Sequence, residues 1–304
     1  MSLAAAAFGR SAPRREGSAA RRAEALAGRL PPLMVAAERV AATVAQGVHG
    51  RRRVGQGESF WQFRPFVQGD AITRIDWRQS AKSDRNFIRE TEWEAAQTVC
   101  LWRSGDASMR WRSRAAVVEK AARAELLLLA LAALLLRGGE RVRLITGSSG
   151  NAAGITAGRA ALERVAEALA RAAPDAALPP DNALPRHARI VLFGDFLTPL
   201  PEIRTTVGRL AAVPLAGHLV QVLDPAEALL PYAGRIRFEG VAREFEALIP
   251  RVEGVRAEYA RRLAAQQQGL ADICAAAGFG FSIHRTDAPP EAALLALYMA
   301  LTVR

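Results

Sequence analysis

The sequence is poor in the residue types on which many catalytic and metal sites depend. Its 304 residues include two cysteines, four histidines and only 6% aromatic residues. Cys100 and Cys274 are too few for a disulfide framework and lack the spacing of a metal site. Cys100 stands in an apolar run, so we expect it to be buried and inert. His218 and His284 fall within predicted strands, where histidines with structural hydrogen bonds are expected.

Long apolar runs and nucleotide-binding loops are also missing. The most apolar run spans residues 126–136, about half the length that a membrane-spanning helix requires, so it predicts a core helix. The glycine-rich stretch 147–154 lacks the Lys-Ser/Thr pair of a P-loop, and there is no Gly-x-Ser-x-Gly elbow. The first 17 residues place their apolar run before their arginines, the reverse of a secretory signal. From these features we expect a cytoplasmic protein without a transmembrane segment.

Positive charge is plentiful but unevenly placed. The formal net charge is +11, and residues 1–53 hold ten arginines against three glutamates. A basic arm of this kind can meet nucleic acid or an anionic membrane. The other interpretation is a solvated, flexible arm over residues 1–30. Nucleic-acid binding through the arm predicts salt-sensitive affinity that is lost when residues 1–30 are deleted; we expect no specific nucleic-acid partner.

Residues 31–96 predict a short helix followed by a small antiparallel β module. Residues 32–46 have helical spacing, while residues 58–67 and 86–92 alternate as strands do. The module holds six basic and seven acidic residues, a balance that favours a protein interface or ion-pair networks over nucleic-acid binding. Its tryptophans would anchor an interface or pack in the core. The candidate interface residues are Trp61, Arg64, Asp70, Arg74, Asp76, Trp77 and Arg89.

From residue 97 onward the pattern changes to strands that alternate with helices. This alternation predicts an α/β fold with a mostly parallel sheet that is covered by helices on both faces. We assign residues 97–304 to this domain, including a C-terminal helical extension. Strands are predicted at 97–102, 141–146, 188–195, 217–224 and 279–284. Helices are predicted at 115–136, 158–173, 200–212, 251–277 and 289–301.

Four segments carry a family resemblance. They are HGRRRVGQGESFWQFRPFVQGD (49–70), TRIDWRQSAK (73–82), FIRETEW (87–93) and LDPAE (223–227). Together they resemble the signature of the bacterial domain-of-unknown-function 58 (DUF58) family, in which such a segment precedes a von Willebrand factor A-like, Rossmann-like domain. The resemblance implies a MoxR-type AAA+ ATPase, or a client protein, as the partner of a cytoplasmic adaptor.

The resemblance also implies a candidate metal site where the first sheet strand ends. The von Willebrand A domain places Asp-x-Ser-x-Ser there as a metal-ion-dependent adhesion site, and oxygen ligands of this kind suit Mg²⁺. This chain has Ser104, Asp106 and Ser108, so its carboxylate and hydroxyls are permuted. Asp195 matches the aspartate of a later loop, and Thr146 or Thr156 would supply a threonine. The alternative is a degenerate site in which Asp106 and Ser108 cap the following turn.

Two function classes follow from these motifs. The first is a non-enzymatic protein-interaction module. The alternative is a metal-assisted hydrolase that uses Asp106, Asp195 and Asp224 at the carboxyl edge of the sheet, although no nucleophile or general base is evident. Asp224 has a structural interpretation as well, because Asp224-Pro225-Ala226-Glu227 has the pattern of a helix-capping box.

Overall fold

The structure is a computed structural model that describes most of the chain from residue 96 onward and parts of the region before it. The described residues are 34–45, 59–67, 72, 75–83, 85–92, 96–146, 157, 160–172, 177–240 and 246–302. Residues 1–30, predicted as a flexible arm, lie outside them, as do Asp70, Arg74 and Thr156.

Eight helices and nine strands are found within the described ranges. The helices are α1 (34–45), α2 (Trp77–Ser80), α3 (Lys120–Arg137), α4 (Ala161–Arg171), α5 (Leu200–Ala211), α6 (Pro225–Leu229), α7 (Arg256–Ala276) and α8 (Pro290–Thr302). The strands are β1 (Ser59–Pro65), β2 (Phe87–Glu92), β3 (Thr98–Arg103), β4 (Arg141–Leu144), β5 (Arg189–Gly194), β6 (Ala216–Leu223), β7 (Ile236–Glu239), β8 (Glu246–Ile249) and β9 (Gly280–Arg285).

A five-stranded parallel sheet forms the centre of the fold. Its strand order is β4-β3-β5-β6-β9, and every pairing within it is parallel. The connection after β3 leads to β4 on one side, and all later strands are added on the other side. The strand order therefore reverses between β3 and β5, and sheets of this type bind ligands beyond the carboxyl ends of the strands at such a point.

Both faces of the sheet are covered by apolar helices, as the alternation predicted. Val99 and Leu101 of β3 belong to one buried cluster, together with residues of α1, α3, α4 and α8. Cys100 and Trp102, which point to the opposite face, belong to a second cluster with residues of α5 and α7. Because successive strand residues face opposite sides, the near-continuous apolar strands are explained by burial on both faces.

Helix α3 lies at the centre of the first cluster. All residues from Leu127 to Leu135 are buried, which explains why its sequence is apolar on every side. The prediction that the run 126–136 forms a core helix is therefore confirmed. Within the described parts of the chain, no helix combines the length and apolarity needed to cross a membrane.

The predicted antiparallel β module contains one described pair of strands. β1 pairs with β2 in antiparallel register, and the register shifts between Phe60 and Gln62, so Trp61 stands at a bulge. The predicted alternation of faces along this strand is interrupted there, because a bulge places two residues opposite one. The short helix α2, which the sequence did not predict, lies between the two strands.

One further prediction was wrong in detail, and one pair of strands was missed. Helix α3 starts at Lys120 rather than at residue 115, because the preceding segment is held in turns. One of these is fixed by a hydrogen bond of 2.8 Å from the Ser113 amide to Asp224 Oδ2. The hairpin of β7 and β8 was missed, since its strands are only four residues long and half-exposed.

Candidate functional site at the carboxyl edge of the sheet

Three loops that leave the carboxyl edge of the sheet meet around one buried ammonium group. The side chain of Lys120, in the first turn of α3, is 0% exposed. Its Nζ donates to Asp195 Oδ2 at 2.9 Å and to Glu227 Oε1 at 2.5 Å. Asp195 directly follows β5, and Glu227 lies in the helix that follows β6. The lysine thus joins two carboxylates from different loops.

The loop after β3 is tied to the same carboxylate. The single proton of the Ser108 hydroxyl is donated mainly to Asp195 Oδ2 at 2.6 Å, and Asp106 Oδ2 is a weaker second acceptor at 3.2 Å. The other oxygen of Asp106 accepts from the Ala107 amide at 2.6 Å, at the start of a short 3-10 turn. Three of the four predicted metal ligands therefore lie in one hydrogen-bonded chain, and we call this group, together with Lys120 and Glu227, the lysine-centred cluster.

The fourth predicted ligand stands slightly apart. Ser104 is buried directly after β3, where its amide donates to the Phe193 carbonyl at 2.7 Å and its Oγ accepts from the Asp106 amide at 3.3 Å. Thr146, the described one of the two candidate threonines, is buried beyond the end of β4. Its carbonyl accepts from Asn182 Nδ2 at 3.3 Å.

The electrostatics of the cluster are dominated by burial and by the lysine. Burial alone would lower the pKa of Lys120, but the attraction of Asp195 and Glu227 and their hydrogen bonds raise it, which keeps the ammonium charged. Burial raises the pKa of Glu227 despite the neighbouring ammonium. The side chain of Glu227 is 19% exposed, against 6% for Asp195, so Asp195 is the more enclosed partner of the lysine.

The predicted capping box is present and leaves Asp224 committed to backbone groups. Asp224 Oδ1 accepts from the Ala226 amide at 2.8 Å and Oδ2 accepts from the Ser113 amide at 2.8 Å. Glu227 Oε2 accepts in turn from the Asp224 amide at 3.0 Å. Glu227 consequently serves both the cap and the lysine, one oxygen to each.

The predicted oxygen ligands converge, but one of them, Asp195, already binds a cation, the Lys120 ammonium. A divalent ion bound to Asp195 Oδ2 would lie about 4 Å from the ammonium that shares that oxygen, given ordinary Mg–O lengths near 2.1 Å. At an effective dielectric constant of 20, unit charges repel by about 4 kcal/mol at that distance, and a divalent ion by twice as much. The arrangement therefore does not fit Mg²⁺ while Lys120 keeps its place. Within the described ranges, no three acidic, histidine or cysteine side chains form a metal-binding group.

Two members of the site, Lys120 and Gln221, were not predicted from the sequence. Gln221 is fully buried on β6, and its Nε2 donates to the Asp195 carbonyl at 2.8 Å. A signal for Lys120 was available, because the chain has only two lysines beside 39 arginines and this one opens the helix that contains the most apolar run. A charged residue that stands on an apolar helix requires a buried partner.

The residues predicted for the interface are only partly described. Asp76 caps α2, where its Oδ1 accepts from the Gln79 amide at 2.9 Å, and Trp77 is 63% exposed. The backbone of Trp61, Arg64 and Arg89 lies in the β1–β2 pair, while their side chains fall outside the described part. The interface assignment stays a prediction.

Two groups of residues outside the site behave as predicted. Cys100 and Cys274 are buried, and burial raises the pKa of each thiol to about 11, so neither is a reactive thiolate. His218 is buried, and its Nε2 lies 2.9 Å from Ser282 Oγ. His284 is buried, and its Nε2 lies 3.2 Å from Arg123 Nη1. Both histidines are therefore hydrogen-bonded core residues.

Comparison with known proteins gives one family match. The family described as "Protein of unknown function DUF58" matches residues 62–269, about two thirds of the chain. No curated protein matches the sequence.

Several solved structures are similar in part. The conserved hypothetical protein BatB from Bacteroides thetaiotaomicron is 14% identical, with 68% of this chain and 98% of that one covered and a TM-score of 0.38. An aerotolerance-related membrane protein from Bacteroides fragilis, with multiple mutations to serine, is 15% identical over 67% and 98%, with a TM-score of 0.37. An uncharacterised membrane-spanning protein from Vibrio fischeri is 12% identical over 69% and 99%, with a TM-score of 0.18.

These descriptions overturn one expectation from the sequence. We predicted a cytoplasmic protein, yet two of the three similar structures are described as membrane proteins. The prediction rested on the absence of a long apolar run, and an apolar run reports only whether a helix of this chain can span a bilayer. The cytoplasmic assignment is withdrawn.

Proposed function

The chain belongs to the DUF58 family, and on that basis we propose that it is a non-enzymatic adaptor that binds other proteins. We propose that its parallel-sheet domain is von Willebrand factor A-like and that its partner is a MoxR-type AAA+ ATPase or a client of one. The proposed role is in the maturation or remodelling of proteins. The proposal rests on family resemblance for the partner and on the carboxyl edge of the sheet for the binding surface.

The observation that carries the proposal is the combination of apolar and polar groups at this edge. Each of the three segments that carry the lysine-centred cluster has an exposed apolar residue: Val117 between β3 and α3, Leu197 after β5 and Leu229 at the end of α6. Val117 is 85% exposed. Exposed apolar residues on segments that also carry half-buried polar groups support a protein-interaction surface at this edge.

The aspartates at this edge of the sheet are held by hydrogen bonds that serve structure. Asp106, Asp195 and Asp224, the three acids of the hydrolase alternative, accept from a backbone amide, a hydroxyl or the lysine in every case. A general base must be within reach of a substrate proton, and Asp224 is fully buried. These contacts favour the interaction role over the hydrolase.

A pull-down with a MoxR-type ATPase from the same organism tests the proposal. We expect the full chain to retain the ATPase and the Leu229→Glu variant to lose it, because a charge in the centre of an apolar contact is costly. Leu295→Glu, on the partly exposed side of α8, is the control of matched chemistry. Trp77→Ala tests the β module as the alternative contact surface. Failure of the unmodified chain to retain the ATPase under any condition would overturn the direct-partner proposal.

A further inference from the structure

The lysine-centred cluster has the composition of a cation site in which the cation is part of the chain. Asp106, Ser108 and Asp195 supply two carboxylates and a hydroxyl from two loops, which is the ligand chemistry of a hard divalent ion. The common acceptor of the cluster, Asp195 Oδ2, receives both the Ser108 hydroxyl and the Lys120 ammonium. The position that faces this oxygen is therefore already filled by a positive charge.

The lysine is placed by the fold rather than by chance contact. It stands in the first turn of α3, and the rest of that helix is locked into the main apolar cluster. Its side chain is fully enclosed, and its carboxylate partners come from the loop after β5 and from α6. Because the ammonium is enclosed and bound to two carboxylates, cations from solvent cannot displace it from these partners as they can at a surface ion pair.

We infer that Lys120 is the resident cation of this site, that it takes the place of a divalent metal ion, and that removing it converts the cluster into a metal-binding site. Lys120 holds the loops after β3, β5 and β6 together in the absence of metal. Where the adaptor role proposed above holds, partner binding at this edge is independent of divalent ions. The inference about the lysine itself concerns the isolated protein and does not depend on any partner.

The test is a titration of Mn²⁺ and Mg²⁺ into the purified full-length chain, read by calorimetry and by the melting temperature. We expect the unmodified chain to show neither binding heat nor a shift in melting temperature. Lys82→Ala removes the only other lysine, which is exposed in the loop after α2, and should behave identically. Lys120→Ala should melt at a lower temperature and should recover by about 5 °C at saturating Mn²⁺, as expected when a ligand binds the folded state alone.

A second substitution ties the recovery to this cluster. In the Lys120→Ala/Asp195→Asn double variant the Mn²⁺ effect should disappear, because the shared carboxylate is gone. If Lys120→Ala does not fold, Lys120→Met/Glu227→Gln provides the same test, since it removes one negative charge along with the lysine. Mn²⁺ should then stabilise that variant by a similar shift.

Two outcomes would overturn the inference. One is Mn²⁺ or Mg²⁺ binding by the unmodified chain that Asp195→Asn abolishes, because the metal would then bind beside the lysine. The other is a folded Lys120 variant whose melting temperature does not respond to either ion. Neither result bears on the pull-down, so a failed adaptor proposal and a failed resident-cation inference are distinguishable.

Discussion

Helix α3 carries two buried cations one turn apart, and they are neutralised in different ways. Lys120 faces the carboxylates of Asp195 and Glu227. Arg123 donates to the Thr286 carbonyl at 2.9 Å and to the Ala288 carbonyl at 2.6 Å. Ion pairs hold the first cation, whereas backbone dipoles and a neutral imidazole hold the second.

The difference follows from the shapes of the two head groups. An ammonium is a compact point charge with three donors, while a guanidinium is a planar fork that suits several acceptors in fixed positions. Burial lowers the pKa of Arg123, and the more distant Glu291 and Asp287 only partly oppose this. The comparison indicates that the Lys120 site depends on charge and the Arg123 site depends on backbone geometry.

The largest expected effect comes from removing the charge on which Lys120 depends. Asp195→Asn should lower the free energy of unfolding by roughly 3–5 kcal/mol, because one partner of a buried ion pair is lost. Urea titration of both proteins measures this. Adding Lys120→Met to Asp195→Asn should recover part of the loss, since no uncompensated charge then remains. If the double variant is less stable than the sum of the single effects predicts, charge compensation is not the basis of the site.

The second effect concerns the imidazole beside Arg123. Burial and the neighbouring guanidinium lower the pKa of His284 from 6.5 to about 4. In the unfolded chain His284 is therefore protonated below about pH 6.5, whereas in the folded chain it is protonated only below about pH 4. The contribution of His284 to the free energy of unfolding is therefore fully present above pH 6.5. It decreases by roughly 3 kcal/mol in total as the pH falls from 6.5 to 4.

His284→Asn should flatten this part of the acid unfolding curve. The measurement is the urea midpoint at several pH values between 7 and 4, for the variant and the unmodified chain. His187→Asn, at an exposed turn position, is the matched control. Equal slopes for His284→Asn and the unmodified chain would contradict a neutral, buried His284.

A smaller loss is expected when Arg123 is replaced by lysine. Arg123→Lys keeps the positive charge but cannot reach both carbonyls and the imidazole with a planar fork, so the free energy of unfolding should fall by about 1–3 kcal/mol. Thermal unfolding measures the loss. The reciprocal substitution, Lys120→Arg, tests the same comparison because a larger head group must fit an enclosed site. An unchanged melting temperature in Arg123→Lys would show that charge alone suffices there.

The smallest effect is expected from Glu227→Gln. Glutamine at this position still accepts the capping hydrogen bond from the Asp224 amide, and burial raises the pKa of Glu227 despite the neighbouring Lys120. Asp195 would remain as the charged partner of Lys120, so we expect a loss of about 1 kcal/mol or less in a urea titration. A loss as large as that of Asp195→Asn would mean that the two carboxylates are equivalent partners.

Much of the fold was accessible from sequence pattern. The apolar strands β3, β5 and β6 and the helices between them have the periodicities that burial imposes, and their boundaries were predicted to within a few residues. The capping box at Asp224 is local, so four residues were enough to identify it. The short hairpin β7–β8 was missed because half-exposed strands of four residues carry a weak pattern.

The site was accessible only in part. Ser104, Asp106, Ser108 and Asp195 were identified through the resemblance to the adhesion-site motif, which lies where strands end at one edge of a parallel sheet. Which cation they face could not be read from their spacing, because Lys120 approaches from a helix whose rotation is set by packing. Its apolar surroundings marked it as exceptional, but only the folded chain shows which carboxylates it meets.

The polar contacts of α3 also have a consequence for the order of folding. Lys120 is separated from Asp195 by 75 residues and from Glu227 by 107, and Arg123 is separated from Thr286 by 163. Contacts between distant residues cost chain entropy and form slowly. As the chain leaves the ribosome, α3 is complete well before any of these acceptors has been synthesised. We therefore expect its two cations to stay hydrated during synthesis and to be enclosed only in the last stage of folding, when the final strands are added.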